Sequence, residues 1–140
     1  MLVRQLSCLM IVLLVLPQIA SGQATTVDLE LNQVESKLVA RTNQARARRS
    51  LAPLAISGSL MNSARRHTAW MCNNNTMTHT SDRVAENIAM GQNSVDAAIQ
   101  SWMNSSGHRA NMLSSSYSQI GVAAYRANNG TIYWCQQFLR

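Results

Sequence analysis

Apolar side chains recur every three or four residues in three stretches of the chain, which predicts three amphipathic helices. The first helix is predicted over residues 28–49, the second over 57–72 and the third over 94–104. The second and third begin with serines, whose hydroxyls can cap a helix N-terminus. One further helical turn is expected over residues 107–112. The apolar positions behind these assignments are Leu31, Val34, Leu38 and Val39, then Leu60, Ala64 and Met71, then Val95, Ala98, Ile99, Trp102 and Met103.

Near the C-terminus the spacing of apolar side chains changes to every second residue. Ile120, Val122 and Ala124 alternate with smaller or more polar neighbours, and residues 131–138 are rich in strand-forming side chains. The Asn-Asn-Gly sequence at 128–130 is typical of a tight turn. This pattern predicts a C-terminal antiparallel hairpin. Helices that are separate from a small antiparallel sheet indicate an α+β fold.

The N-terminal region has the pattern of a signal peptide. Residues 6–16 are almost wholly apolar, which is too short a run for a stable membrane span. Arg4 precedes this run, Pro17 ends it, and the small residues at 20–22 are suitable for cleavage. The alternative is an N-terminal membrane anchor. No other apolar run is long enough to cross a membrane.

These features predict a signal peptide at 1–22, a short tail at 23–32 and one domain at 33–140. The protein is therefore expected to be secreted, to an extracellular or periplasmic location. About 118 residues remain after cleavage, enough for one compact domain with its own core. We expect a monomer without a transmembrane segment in the mature chain.

Cysteine usage agrees with export. Cleavage removes Cys8 and leaves Cys72 and Cys135. Two cysteines in a short secreted domain most simply form one disulfide. A metal-binding or catalytic thiol pair is the alternative, but neither cysteine has a second cysteine at Cys-x-x-Cys spacing.

The chain is basic, with 12 Lys and Arg against 6 Asp and Glu. For a secreted protein this charge favours anionic polymers or membrane surfaces over nucleic acid as partners. The simpler interpretation, which we favour, is a solvated face of the first two helices. Most of the arginines lie on those helices, at Arg41, Arg46, Arg48, Arg49, Arg65 and Arg66.

Three short segments, at 77–80, 85–89 and 102–109, contain the candidate chemistry. They supply His79, Glu86 and His108, and imidazoles and carboxylates are suited to proton transfer near neutral pH and to divalent metals. The remaining histidine, at position 67, is expected to pack on a helix beside Trp70 and Met71 rather than to bind a ligand.

Two of these segments carry a resemblance to a known family. Residues 86–91 resemble the Glu-Asn-Ile-Ala-x-Gly segment of the CAP family, also called the cysteine-rich secretory, antigen 5 and pathogenesis-related 1 (SCP-like) family. Residues 102–113 resemble its Trp-Met-x-Ser-Pro-Gly-His-Arg-x-Asn-Ile-Leu run. The order and spacing match the short, single-domain bacterial form over nearly all of the mature chain.

The resemblance implies an α-β-α sandwich with a small antiparallel sheet packed between helices. It also implies a central cleft that many members line with two histidines and two glutamates, and that can hold a divalent metal. His79, Glu86 and His108 match three of the four. The fourth position is Ser105 here, which leaves two imidazoles and one carboxylate, a set that can still bind Zn²⁺ with water at an open position. The family fold is also expected to bring Cys72 and Cys135 near each other.

The preferred function is an extracellular binding module for a lipid or sterol, a cell-wall glycan or a protein, with no nucleic acid partner. The alternative is a metal-dependent, protease-like hydrolase that uses His79, Glu86 and His108. The chain has neither Gly-x-Ser-x-Gly nor His-Glu-x-x-His, the motifs of two large hydrolase classes.

Overall fold

The computed structural model describes residues 31–140, which form four helices around one sheet. The helices are α1 (Gln33–Ala47), α2 (Gly58–Asn73), α3 (Val95–Asn104) and α4 (Ser106–Met112). The predicted signal peptide lies outside the described residues. Among those residues, no helix has both the length and the apolar character that crossing a bilayer requires.

Side-chain caps set the starts of three helices. Asn32 caps α1 in a capping box, because its Oδ1 accepts from the Glu35 N–H at 2.9 Å while the Glu35 carboxylate accepts from the Asn32 N–H at 3.0 Å. The side chain of Ser57 caps α2 and that of Ser94 caps α3. The capping of the second and third helices by serine is therefore confirmed, and α1 begins five residues later than the predicted start at 28.

The sheet has four strands in the order β1-β3-β4-β2. The long β3 (Gln119–Arg126) and β4 (Ile132–Leu139) form the predicted antiparallel hairpin. On its outer sides β2 (Ala85–Met90) pairs antiparallel with β4, and the two-residue β1 (Ala55–Ile56) pairs parallel with β3. The sheet is thus mixed rather than purely antiparallel, and neither outer strand was predicted from the sequence.

Helices cover both faces of the sheet. Alternate residues of β4 point to opposite sides: Trp134 and Phe138 belong to the core formed with α1, α3 and α4, whereas Tyr133 and Cys135 pack against α2. Trp102 of α3 is fully buried in the first of these cores, as the helical pattern predicted. The result is the expected α-β-α sandwich.

A glycine lets α2 lie directly on β3. A Cβ atom built on Gly121 would fall 2.5 Å from the Cβ of Leu60, and closer still to that residue's carbonyl carbon and oxygen. Only a residue without a side chain fits between this helix and this strand.

Not all of the arginines on the first two helices belong to a solvated face. Arg46 is 2% exposed, and its guanidinium donates to the carbonyl oxygens of Ala52, Met112 and Ser114 at 2.8–2.9 Å. Burial lowers the pKa of Arg46. Arg65 donates through two nitrogens to the carboxylate of buried Glu35, each at 2.7 Å, which links α2 to α1. Two of the six arginines are therefore structural.

The predicted disulfide between Cys72 and Cys135 is absent, and both thiols are free. Cys135 is fully buried within the sheet, and its Sγ lies 3.6 Å from a carboxylate oxygen of Glu86, to which the thiol donates. Cys72 lies near the end of α2, beside the turn between β3 and β4. The two cysteines pack at the same apolar cluster, as the resemblance led us to expect. The Cys135 thiol, however, is hydrogen-bonded to the Glu86 carboxylate.

Candidate functional site

Glu86 is the centre of the candidate site, and it lies on β2 rather than in a loop. Its side chain is 3% exposed. One carboxylate oxygen accepts from His79 Nδ1 at 2.9 Å and from the backbone N–H of Thr80 at 3.0 Å. The other accepts from Gln137 Nε2 at 2.9 Å and from the Cys135 thiol. The acid is therefore surrounded by donors on both oxygens.

The pairing of β2 with β4 explains part of this arrangement. Glu86 and Gln137 are register partners, so their side chains leave the sheet side by side. A carboxylate only accepts hydrogen bonds, so the Gln137 amide must present its NH₂ group. Its Oε1 is buried and has no donor among the described residues. The Glu86 carboxylate thus fixes the orientation of the Gln137 amide, and this orientation leaves the Gln137 Oε1 without a hydrogen-bond donor.

His79 and His67 both lie against this carboxylate. The side chain of His79 is 60% exposed, and its Nδ1–H must be the donor to Glu86, which leaves Nε2 free for a ligand. His67, on α2, lies with its Nε2 2.8 Å from the carbonyl oxygen of Thr78 and 3.7 Å from the second Glu86 oxygen. Since the carbonyl only accepts, His67 Nε2 carries a proton. Its partly buried position agrees with the expected packing, but the sequence did not predict its contact with Glu86.

His108 lies on α4 and is held through its backbone. Its carbonyl oxygen accepts from Asn87 Nδ2 at 3.0 Å, and Asn111 Nδ2 donates both to Asn87 Oδ1 and to the carbonyl oxygen of Glu86. Burial lowers the pKa of the His108 imidazole, and the nearby His79 lowers it further. The convergence of His79 and His108 on one cleft stays a prediction.

Ser105 lies at the junction of α3 and α4. Its backbone N–H donates to the carbonyl oxygen of Trp102, and its side chain makes no capping bond to α4. It is partly exposed. The prediction that a carboxylate at this position would complete the cleft stays a prediction.

The donor set fits a metal only in part. A catalytic zinc is usually held by three protein ligands. Within residues 31–140, no three His, Cys, Asp or Glu side chains are grouped so as to hold a metal ion. Glu86 is the poorest candidate, because its oxygens already accept from protein donors and its side chain is buried. His79 and His108 can serve as ligands, with Glu86 orienting the first of them from behind.

A small open cavity adjoins the His79–Glu86 pair. It has a volume of about 290 Å³ and is lined by His67, Trp70, His79, Thr80 and Ser81. Trp70 is 48% exposed, and its ring stacks on that of His67 with centroids 5.9 Å apart and planes 13° from parallel. The half-exposed indole thus lies at the rim of the cavity with one face on His67.

His67, Trp70 and Gln137 were not predicted from the sequence as parts of this site. His67 and Trp70 stand one helical turn apart, a spacing that equally fits core packing. Gln137 could be found only from the strand register, which in turn depends on β2. A strand at 85–90 was not evident, because Ala, Glu and Asn are poor strand formers.

Comparison with known proteins agrees with the resemblance to the CAP family. The profile of the CAP family, described as the cysteine-rich secretory protein family, matches residues 39–138. The uncharacterized protein YkwD of Bacillus subtilis is 33% identical over 136 residues, which cover 85% of this chain and 52% of YkwD. The chain therefore spans about half the length of that relative.

Two solved structures are similar over most of the described fold. An extracellular protein of Bacillus anthracis that contains an SCP domain superposes with a TM-score of 0.68 at 28% identity, covering 76% of this chain and 40% of that one. An outer surface protein of Borrelia burgdorferi also gives 0.68, at 18% identity, with coverage of 74% and 89%. The second likeness concerns the fold alone.

Proposed function

The chain belongs to the cysteine-rich secretory protein (CAP) family, and from that premise we propose that it is an extracellular binding module whose cleft takes a glycan. The observation that carries this proposal is the half-exposed Trp70 at the edge of the cavity beside His79. Pyranose rings pack their C–H faces on rigid aromatic rings while their hydroxyls bond to nearby polar groups.

The walls of the cavity suit such a ligand better than a lipid. Both histidines, Thr80 and Ser81 are polar, and Trp70 is the one large apolar wall residue. The volume of about 290 Å³ is at the lower limit of typical ligand sites. It suits one ring of a larger, mostly solvated chain rather than a sterol or an acyl tail.

Glu86 keeps the binding groups in place. By accepting from His79 Nδ1 it holds the free Nε2 of that ring ready to accept from a ligand hydroxyl. Thr80 is fixed by its own N–H bond to the same carboxylate. A preorganised set of this kind lowers the entropic cost of binding a flexible oligosaccharide.

Calorimetry and tryptophan fluorescence with a β-linked N-acetylglucosamine tetramer test the proposal. We expect binding with a change in Trp70 emission, a loss of about tenfold or more in Trp70→Ala, and a smaller loss in Trp70→Phe. Tyr125→Ala is the control, since Tyr125 is also an exposed aromatic residue and lies outside the cavity. Equal affinity of Trp70→Ala and the wild type, or binding of palmitate or cholesterol in place of the sugar, would refute the proposal.

Metal-dependent hydrolysis is the alternative function, and its support is the His79–Glu86 pair. Titration with Zn²⁺ separates the two. If the imidazoles hold zinc, His108→Ala weakens zinc binding without unfolding the domain, and Ser105→Glu tightens it by supplying a third ligand. No change in either variant would mean that the three residues are structural only.

A further inference from the structure

A basic groove lies between α1 and α3. Its volume is about 610 Å³. It lies on the side of the sheet opposite α2, and so away from the Trp70 cavity. Ala45, Ile99 and Met103 supply its apolar surface.

Cationic side chains follow this groove along α1. Arg41 and Arg48 are seven residues apart, which places them on one helix face about 10.5 Å apart along the axis. Arg49 lies beside Arg48 just beyond the helix end, and both are exposed. Neither pairs with a carboxylate of residues 31–140.

One carboxylate belongs to the groove, and it is already neutralised. Asp96 accepts from Lys37 Nζ at 2.8 Å and from Arg41 Nε at 2.7 Å. Hydrogen bonds from Lys37 and Arg41 lower the pKa of Asp96. The three arginines that line the groove, with Lys37 also bound to Asp96, outnumber this one carboxylate and leave an excess of positive charge.

We propose that the groove between α1 and α3 binds an extended anionic polysaccharide, whose carboxylate or sulfate groups pair with Arg41, Arg48 and Arg49. The apolar surface at Ile99 and Met103 accommodates the C–H faces of the sugar rings between those charges. This site is independent of the glycan proposed for the Trp70 cavity.

The shape and composition of the groove favour this ligand over other polyanions. A flat bilayer cannot enter a groove between two helices, and exposed apolar side chains such as Trp70 and Met77 lie outside it. Single-stranded nucleic acid is usually bound with bases stacked on aromatic rings, and no aromatic side chain lines the groove.

Binding of polygalacturonate and heparin fragments, measured by calorimetry at low and moderate salt, tests the proposal and shows whether carboxylate or sulfate is preferred. Arg48→Gln/Arg49→Gln should lose about tenfold or more in affinity and show a weaker salt dependence. Asp96→Asn should bind more tightly, because it removes the competing carboxylate. A gain of affinity cannot come from misfolding.

Arg66→Gln/Arg83→Gln is the matched control, since it removes the same charge from exposed positions outside the groove. Trp70→Ala should bind these polymers like the wild type, which separates this site from the cavity. Equal losses in the two double variants, or no gain in Asp96→Asn, would overturn the proposal. So would Arg48-dependent binding that is tighter to duplex DNA or to vesicles rich in phosphatidylserine than to both polysaccharides.

Discussion

Gly121→Ala should destabilise the domain strongly, because β3 and α2 leave no room for a methyl group. The new Cβ would lie 2.5 Å from Leu60 Cβ and closer to two Leu60 backbone atoms, whereas ordinary contacts begin at 3.4 Å. The helix would have to move by about 1 Å, and no rotamer change can relieve a clash with backbone. Overpacking of this kind costs about 1–3 kcal/mol, and the rigid neighbours place this case near 3 kcal/mol.

Urea unfolding followed by circular dichroism measures this loss as a lower midpoint with an unchanged slope. Gly58→Ala is the control, because Gly58 lies on α2, the helix that Gly121 contacts, and its Cβ would meet nothing within 4 Å. It should be neutral or stabilise by up to about 1 kcal/mol, since alanine favours helix. If Gly121→Ala unfolds within about 0.5 kcal/mol of the wild type, the close approach of α2 to β3 is wrong.

Two further changes test the core and the cleft. Trp102→Ala should lower the free energy of unfolding in urea by about 3–5 kcal/mol, because it removes a fully buried ring and its 3.1 Å hydrogen bond to the Ile88 carbonyl oxygen. An unchanged midpoint would contradict the packing of α3. The lowered pKa of His108 means that the unfolded chain binds its proton first, so stability is lost as pH falls through about 6.5. His108→Gln should therefore show a shallower fall in unfolding free energy between about pH 7.5 and 5.5, and parallel curves would refute this assignment.

The sequence predicted the elements whose patterns are strong and local. The helices at 58–73 and 95–104 have clear apolar stripes and serine caps, and the hairpin has an Asn-Asn-Gly turn. The strand at 85–90 was missed, because its formation depends on pairing with β4 rather than on its own composition. The disulfide is not shown, and the contact of the Cys135 thiol with Glu86 could not be read from cysteine spacing.

The candidate site was predicted as residue types but not as a geometry. The motif placed His79, Glu86 and His108 together, and the structure shows Glu86 bonded to the first of them. Glu86 acts there as a buried acceptor, not as an open ligand, because Gln137 and Thr80 also donate to it. The Gln137 contact follows from strand register and the Thr80 contact from the path of the chain before β2, and single-residue patterns supply neither.

Arg46 makes distant parts of the chain depend on one another for local opening. Its guanidinium donates to the carbonyl oxygen of Ala52, which precedes β1, and to that of Met112 at the end of α4. It also donates to the carbonyl oxygens of Ser114 and Tyr117, which lie between α4 and β3. The end of α1 cannot fray without releasing these acceptors, so backbone amides in both connections should exchange with solvent in one cooperative step. The segment at 113–118, which has no regular structure of its own, is thus expected to open together with the end of α1 rather than independently.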